Sequence, residues 1–150
     1  MRPRRIVPSV LVVAVVVVAA LAVPAHAGHR SDGARAKTFS FVNHFRRHAG
    51  RKPLKNAPAL SQLAWKHSLR MAHNRRLFHT RSLSIRMRAW HPRIYGENVG
   101  VGPSIWRVFK MWTKSAPHRA NLLDRRFKRA GVGVVHTHGA FWITMIFYGR

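Results

Sequence analysis

Residues 141 to 147, Phe-Trp-Ile-Thr-Met-Ile-Phe, are apolar at every position except Thr144. A strand with one wet face alternates apolar and polar residues, because successive side chains point to opposite sides. This run does not alternate, so it fits a strand covered on both faces. Gly131 to His136 reads as a second strand ahead of it, and Thr137 to Gly139 supplies a tight turn, which makes the pair a hairpin. Something must then lie on each side of that hairpin, and the remaining apolar periodicity is helical. The expected fold class is α+β, a three-layer α-β-α sandwich around a small antiparallel sheet.

Phe39, Val42, Phe45 and Arg46 recur at three- and four-residue spacing, with Gly50 as a C-terminal stop. A second helix is expected from Asn56 to Asn74, with Asn56 as cap and Pro58 in the first turn. Its inner face would carry Leu60, Leu63, Ala64, His67 and Met71. Arg75 to Arg93 is irregular and basic, with a short helix around Ser82 to Met87. Tyr95 to Pro103 is glycine-rich and reads as a loop beside a short strand. Ser104 caps a third helix whose stripe is Ile105, Val108, Phe109 and Trp112. Ser115 and Pro117 end it and start a short helix over His118 to Leu123. Trp65, Trp106 and Trp112, all at helical positions, read as core.

The N-terminus reads differently. Arg2, Arg4 and Arg5 precede an apolar stretch that ends at Ala25-His26-Ala27, the pattern of a secretory signal peptide (residues 1–27) cut after Ala27. The competing reading is a retained membrane anchor over residues 6–23. Unbroken apolar sequence covers only the fourteen residues Val10 to Val23, against about 20 for a span, which favours cleavage and secretion. Residues 28–38 then read as a basic linker and 39–150 as the folded domain.

Twenty-eight basic residues stand against three acidic ones, a net charge of +25. Such a field attracts polyanions without choosing among envelope polymers, phospholipid headgroups and nucleic acid. Arg outnumbers Lys 21 to 7 and the basic residues are scattered, which GC-rich coding also explains. The absence of cysteine excludes thiol catalysis, zinc–thiolate sites and redox switching, and leaves the domain to be held by its core alone.

The acids narrow the chemistry further. Asp32 falls in the linker and Asp124 after the last short helix, so Glu97, between glycines, is the one carboxylate placed to act. A paired-carboxylate glycosidase mechanism lacks its second member. Glu97 can accept backbone N–H groups and pin its segment, take part in metal or catalytic work, or balance arginine charge. Ser115 and His118, three apart, could pair as nucleophile and base. No Gly-x-Ser-x-Gly surrounds Ser115, however, and capping the next helix explains it. His67 on an apolar helix face reads as a satisfied core histidine. His136 and His138, two apart and able to chelate, read as polar turn residues. Gly96, Gly100 and Gly102 lack the lysine and spacing of a phosphate loop.

Several segments together resemble one family. These are Asn43 to Leu54 (NHFRRHAGRKPL), Leu60 to Ala72 (LSQLAWKHSLRMA), Phe78-His79 and Gly96 to Gly100 (GENVG). Trp112 to Leu123 (WTKSAPHRANLL), Gly131 to Val135 (GVGVV) and the closing FWITMIF follow. In this order they resemble the CAP superfamily of cysteine-rich secretory, antigen 5 and pathogenesis-related proteins, in its bacterial SCP-like form. The resemblance implies the α-β-α sandwich and a cavity where two His and two Glu can hold a divalent metal such as Zn²⁺. Matched by motif, the cavity residues are His79, Glu97, Ser115 and His118, with His79 and His118 as metal ligands and Glu97 as the catalytic candidate. Ser115 stands where many members carry the second Glu. The expected function is that of a secreted, monomeric, non-catalytic domain binding a small apolar, lipid-like or envelope-derived ligand in that cavity. Its basic surface would favour anionic envelope polymers. The alternatives are a divalent-metal-dependent hydrolase using the same cavity and a charge-driven, non-specific nucleic-acid binder.

Overall fold

The computed structural model describes residues 26–150, so the signal-peptide and anchor readings, apart from His26 and Ala27, lie outside the described residues. Its centre is the expected hairpin. Strand β3 (Arg129–Thr137) pairs antiparallel with β4 (Ala140–Gly149). His138 and Gly139 turn between them with φ of 50° and 70°, the two positive values that a two-residue turn of matching twist needs. Strand β2 (Ile94–Gly102) lies antiparallel along the other side of β4, and β1 (Lys55–Asn56) adds a two-residue parallel edge to β3. The order is β1-β3-β4-β2. The sheet is therefore mixed rather than wholly antiparallel, by one short edge.

The central position of β4 explains its composition. Ile143, Met145 and Phe147 face a layer made by α1 (His26–His48), α4 (Ile105–Lys114) and α5 (Ala116–Leu123), where Val42, Val108, Phe109, Trp112 and Leu122 meet them. Trp142, Ile146 and Tyr148 face the opposite layer, built from α2 (Pro58–His73), α3 (Leu83–Met87) and the 3-10 turn Arg88–Trp90. Thr144, the single polar residue of the run, points to α2 and sits 2.9 Å from Ser68 Oγ, which also donates to Gly133 O at 3.1 Å. The three-layer sandwich follows.

Several boundaries differ from the sequence expectation. Helix α1 begins at His26, so the segment 28–38 expected as a linker is its first half. Thr38 is buried and donates to Ala34 O, and Ala34 packs against the core. Few apolar residues mark this stretch, but no proline or positive φ interrupts it. Gly50 ends the helix as expected, with φ 65°, Arg51 N on Arg46 O and Gly50 N on Arg47 O, the paired closure of a glycine C-terminus. Helix α2 starts at Pro58, because Asn56 is taken up by the β1 edge. Of the three tryptophans read as core, Trp112 is buried, while Trp65 and Trp106 are 38% and 48% exposed.

The largest correction is β2. Its glycines read as a loop, yet all nine residues pair with β4. The glycines are there for proximity: a Cβ at Gly100 would lie 2.5 Å from Val108 Cγ1, and one at Gly96 2.9 Å from Asn121 Oδ1. They let α4 and α5 lie close against the sheet edge. Alternation was present after all, with Glu97, Val99 and Val101 on the α2 side and the glycines with Asn98 on the other.

Candidate functional site

Glu97 therefore projects from a paired strand rather than from a loop, toward the segment that follows α2. Its side chain is enclosed, and the residue is 8% exposed. His79 Nδ1 donates to Oε2 at 2.8 Å, Thr80 N donates to Oε2 at 2.9 Å, and Thr80 Oγ1 donates to Oε1 at 2.5 Å. One residue earlier, Phe78 O lies 2.8 Å from Nε2 of the buried His67. Three consecutive residues are thus bonded to interior side chains. Burial, first, and the charges of Arg70 and His79 hold the His67 imidazole below its ordinary value, against the opposing pull of Phe78 O and Glu97. His67 is the satisfied core histidine expected of it.

The other two expected site residues form a separate pair. Ser115 Oγ and His118 Nδ1 share a hydrogen bond of 2.8 Å at the start of α5. Ser115 occupies the N-cap position but caps no backbone N–H, so the pairing with His118 takes the place of the expected cap. Burial and the neighbouring charge of His79 lower the His118 value, which favours the neutral ring. Helix α5 is tied to β2 on its Asn98 side: Asn98 Nδ2 donates to His118 O, and Asn121 Nδ2 to Glu97 O and Asn98 Oδ1, at 3.0–3.2 Å. Successive residues of a strand face opposite ways, so Glu97 turns to His79 and Thr80 while Asn98 turns to α5, and His79 still lies near enough for its charge to act on His118.

Two concavities open near these elements. One, about 540 Å³, is lined by Asn74, Arg76, Phe78, His79 and Arg81; of the four expected cavity residues it includes His79 alone. The other, about 340 Å³, lies between α1 and α4, where Phe41, Phe45, Trp106 and Phe109 form the walls and His44 and His48 the rim. Neither one is a cavity shared by His79, Glu97, Ser115 and His118.

Among the described residues no group of three or more His, Asp and Glu side chains is placed to hold a metal ion. Both Glu97 oxygens already accept hydrogen bonds, and Ser115 offers no carboxylate. His138, bonded to Thr137 and 3.4 Å from Arg75, is the turn residue expected, whereas His136 lies in β3, stacked on its ladder partner Phe141.

The sandwich, the GEN strand and the His-Arg-Ala-Asn helix now stand in one arrangement, and the family model described as CAP, the cysteine-rich secretory protein family, matches residues 39–147. The chain belongs to the CAP family. Solved CAP-type structures share its fold. An extracellular protein containing an SCP domain from Bacillus anthracis superposes with a TM-score of 0.74 at 23% identity, over 85% of this chain and 44% of that one. A cysteine-rich secretory protein from Staphylococcus aureus gives 0.68 at 22%, over 81% and 40%. An outer surface protein from Borrelia burgdorferi gives 0.67 at 19%, over 77% and 91%. This CAP chain thus spans less than half of the first two proteins. No curated protein matches it. Against its family's name the chain contains no cysteine, so no disulfide braces the sandwich.

Sequence reading of the CAP motifs left Thr80, Asn98 and Asn121 without roles. Their signal was only that they adjoin His79, Glu97 and His118 in the motifs. The clamp they help to form is testable. In Glu97→Gln the amide presents an N–H₂ group where the carboxylate accepted, so a buried donor of Thr80 or the ring N–H of His79 loses its partner, the buried loss costing about 1–3 kcal/mol. The melting temperature in EDTA is expected to fall by roughly 5 °C or more. An unchanged melting curve would show that Glu97 does not clamp the segment.

Proposed function

We propose that this chain is an extracellular, monomeric, non-catalytic CAP module that binds a small envelope-derived ligand, its basic surface favouring anionic partners. One observation carries the reading: the best-placed carboxylate of the chain, Glu97, has both oxygens engaged in holding His79 and Thr80. A general base or metal ligand needs a free lone pair directed at the reacting atom. Three of the about four lone-pair positions of the carboxylate are taken by these hydrogen bonds, which make one wall of a pocket rigid. Export fits the basic, apolar, small-residue order of residues 1–27. It also fits the extracellular protein from Bacillus anthracis that shares the fold.

The two concavities divide the ligand's chemistry. Apolar walls suited to a lipid-like part lie in the groove of Phe41, Phe45, Trp106 and Phe109, away from Glu97. The pocket at His79 is cationic. The hydrolase alternative keeps the chemistry at His79, His118 and Glu97, and it differs in one readout. Native mass spectrometry of the full chain incubated with extracted envelope components is expected to show one ligand bound per chain with its mass unchanged. Product masses that require Glu97 would replace the module with the metal-dependent hydrolase, and spectra of the free chain alone would remove the ligand-binding reading.

A further inference from the structure

The chain has three side-chain carboxylates, and each is already engaged. Asp32 pairs with Arg35 within α1. Asp124 binds Arg126 through several hydrogen bonds, which hold its carboxyl below the usual range. Glu97 holds His79 and Thr80. No side-chain carboxylate is left for the remaining arginines, so their counter-ions come from outside the chain. Arg76 and Arg81 line one concavity with His79. No other described arginine lines either of the two concavities.

Their setting is rigid where it matters. Between them, Phe78, His79 and Thr80 are each bonded to a buried side chain, His67 or Glu97. The Phe78 ring packs against the cluster of Met71, Val99 and Trp142, and the Arg76 guanidinium lies 5.6 Å from its centroid. Among the described residues neither the Arg76 nor the Arg81 guanidinium donates a hydrogen bond within the protein. Because Nδ1 of His79 is spent on Glu97, Nε2 is the ring nitrogen left to the pocket. Both arginine side chains are exposed, but the backbone between them is held before a ligand arrives, which lowers the ordering entropy of binding.

We infer that this pocket is a phosphate site, in which Arg76 and Arg81 grip the oxygens of a phosphomonoester or phosphodiester and Phe78 lies against its organic part. The inference rests on the binding-module reading and gives it a ligand chemistry. Phosphate is preferred to carboxylate on geometry. One planar guanidinium satisfies both oxygens of a carboxylate, whereas a tetrahedral phosphate offers further oxygens that a second guanidinium can take. The same group could arrive as a lipid headgroup or as a soluble ester.

The test uses the full chain and two double variants of equal charge change. Arg76→Gln with Arg81→Gln removes the pocket cations. Arg88→Gln with Arg93→Gln removes two exposed arginines outside the pocket. Calorimetric titration with glycerol 3-phosphate is expected to give one site per chain, weakened at least tenfold in the pocket variant and less than threefold in the control. Equal weakening in both variants, or no binding by the native chain, would overturn the site. Sedimentation with phosphatidylglycerol vesicles, using phosphatidylcholine vesicles as reference, separates the sources. With glycerol 3-phosphate bound in the titration, vesicle binding that depends on Arg76 and Arg81 supports a headgroup, and no such vesicle binding supports a soluble ester. An intact envelope ligand retained equally by the pocket variant would overturn the phosphate site while leaving the module standing. Product masses would remove the module and leave the phosphate titration to be judged by itself.

Discussion

Gly133→Ala is expected to destabilise the native fold severely. Helix α2 crosses the sheet with its backbone directly over β3, and a Cβ on Gly133 would lie 2.1 Å from Trp65 N and 2.2 Å from Ala64 C. These are backbone atoms in the middle of a helix, so no side-chain rotation relieves the overlap. The helix would have to rise off the sheet by more than an ångström. That movement breaks the bonds from Ser68 to Gly133 O and from Val132 N to Ser61 Oγ. It also uncovers Leu60, Ala64, His67 and Met71 along the same face. A loss beyond about 4 kcal/mol is expected, out of a total stability on the order of 5–15 kcal/mol for a domain. Circular dichroism and a denaturant melt measure it. Gly33→Ala is the control: it lies in α1 with nothing within 4 Å of the added methyl, and a helical Gly→Ala change gains about 1 kcal/mol. A Gly133→Ala protein that melts like the native one would mean that α2 is not seated where this packing requires.

Arg46→Met should cost about 3 kcal/mol or more, although it removes a charge from a chain of net charge +25. Arg46 is 1% exposed, inside the α1 stripe. Its Nε donates to Lys52 O at 2.9 Å, Nη1 to Leu122 O at 2.7 Å and Asp124 O at 3.2 Å, and Nη2 to Phe127 O at 3.4 Å. One guanidinium therefore satisfies carbonyls of the connection leaving α1, of the last turn of α5 and of the connection from α5 to β3. Burial lowers its value and the Asp124 charge opposes that shift; an arginine stays protonated even so. Methionine fills similar space and makes none of these bonds, leaving buried carbonyls unpaired at about 1–3 kcal/mol each. Urea midpoints of the native, Arg46→Met and Arg46→Lys chains would measure this. Lysine, with one nitrogen, is expected to recover a minor part. A methionine variant within about 0.5 kcal/mol of native would show that water satisfies those carbonyls in the folded protein.

The two substitutions also mark where the sequence was readable. Arg46 falls in the apolar stripe of Phe39, Val42 and Phe45, and spacing placed it on the buried face. Spacing could not say what its five donors would meet, because their acceptors lie up to 81 residues away. The GVGVV segment was legible as a strand. That its glycines admit a helix backbone depends on where α2 crosses, which no local pattern encodes.

The same division runs through the candidate site. Local periodicity determined the hairpin, the α4 stripe, the cap at Ser104 and the double covering of β4, since each is a property of neighbouring residues and their burial. It misread residues 94–102, because glycine weakens the strand signal locally while serving a long-range contact. It also misread residues 28–38, where a polar helix end has too few apolar residues to show its period. Motif order brought His79, Glu97, Ser115 and His118 to attention together. Only the tertiary structure decided that Glu97 and Asn98 point to opposite sides of an edge strand. That alternation turns Glu97 to His79 and Asn98 to α5, so the residues form a carboxylate clamp and a Ser115–His118 pair that His79 still neighbours. Pairing geometry is a property of the assembled sheet, and the identity of each residue leaves it open.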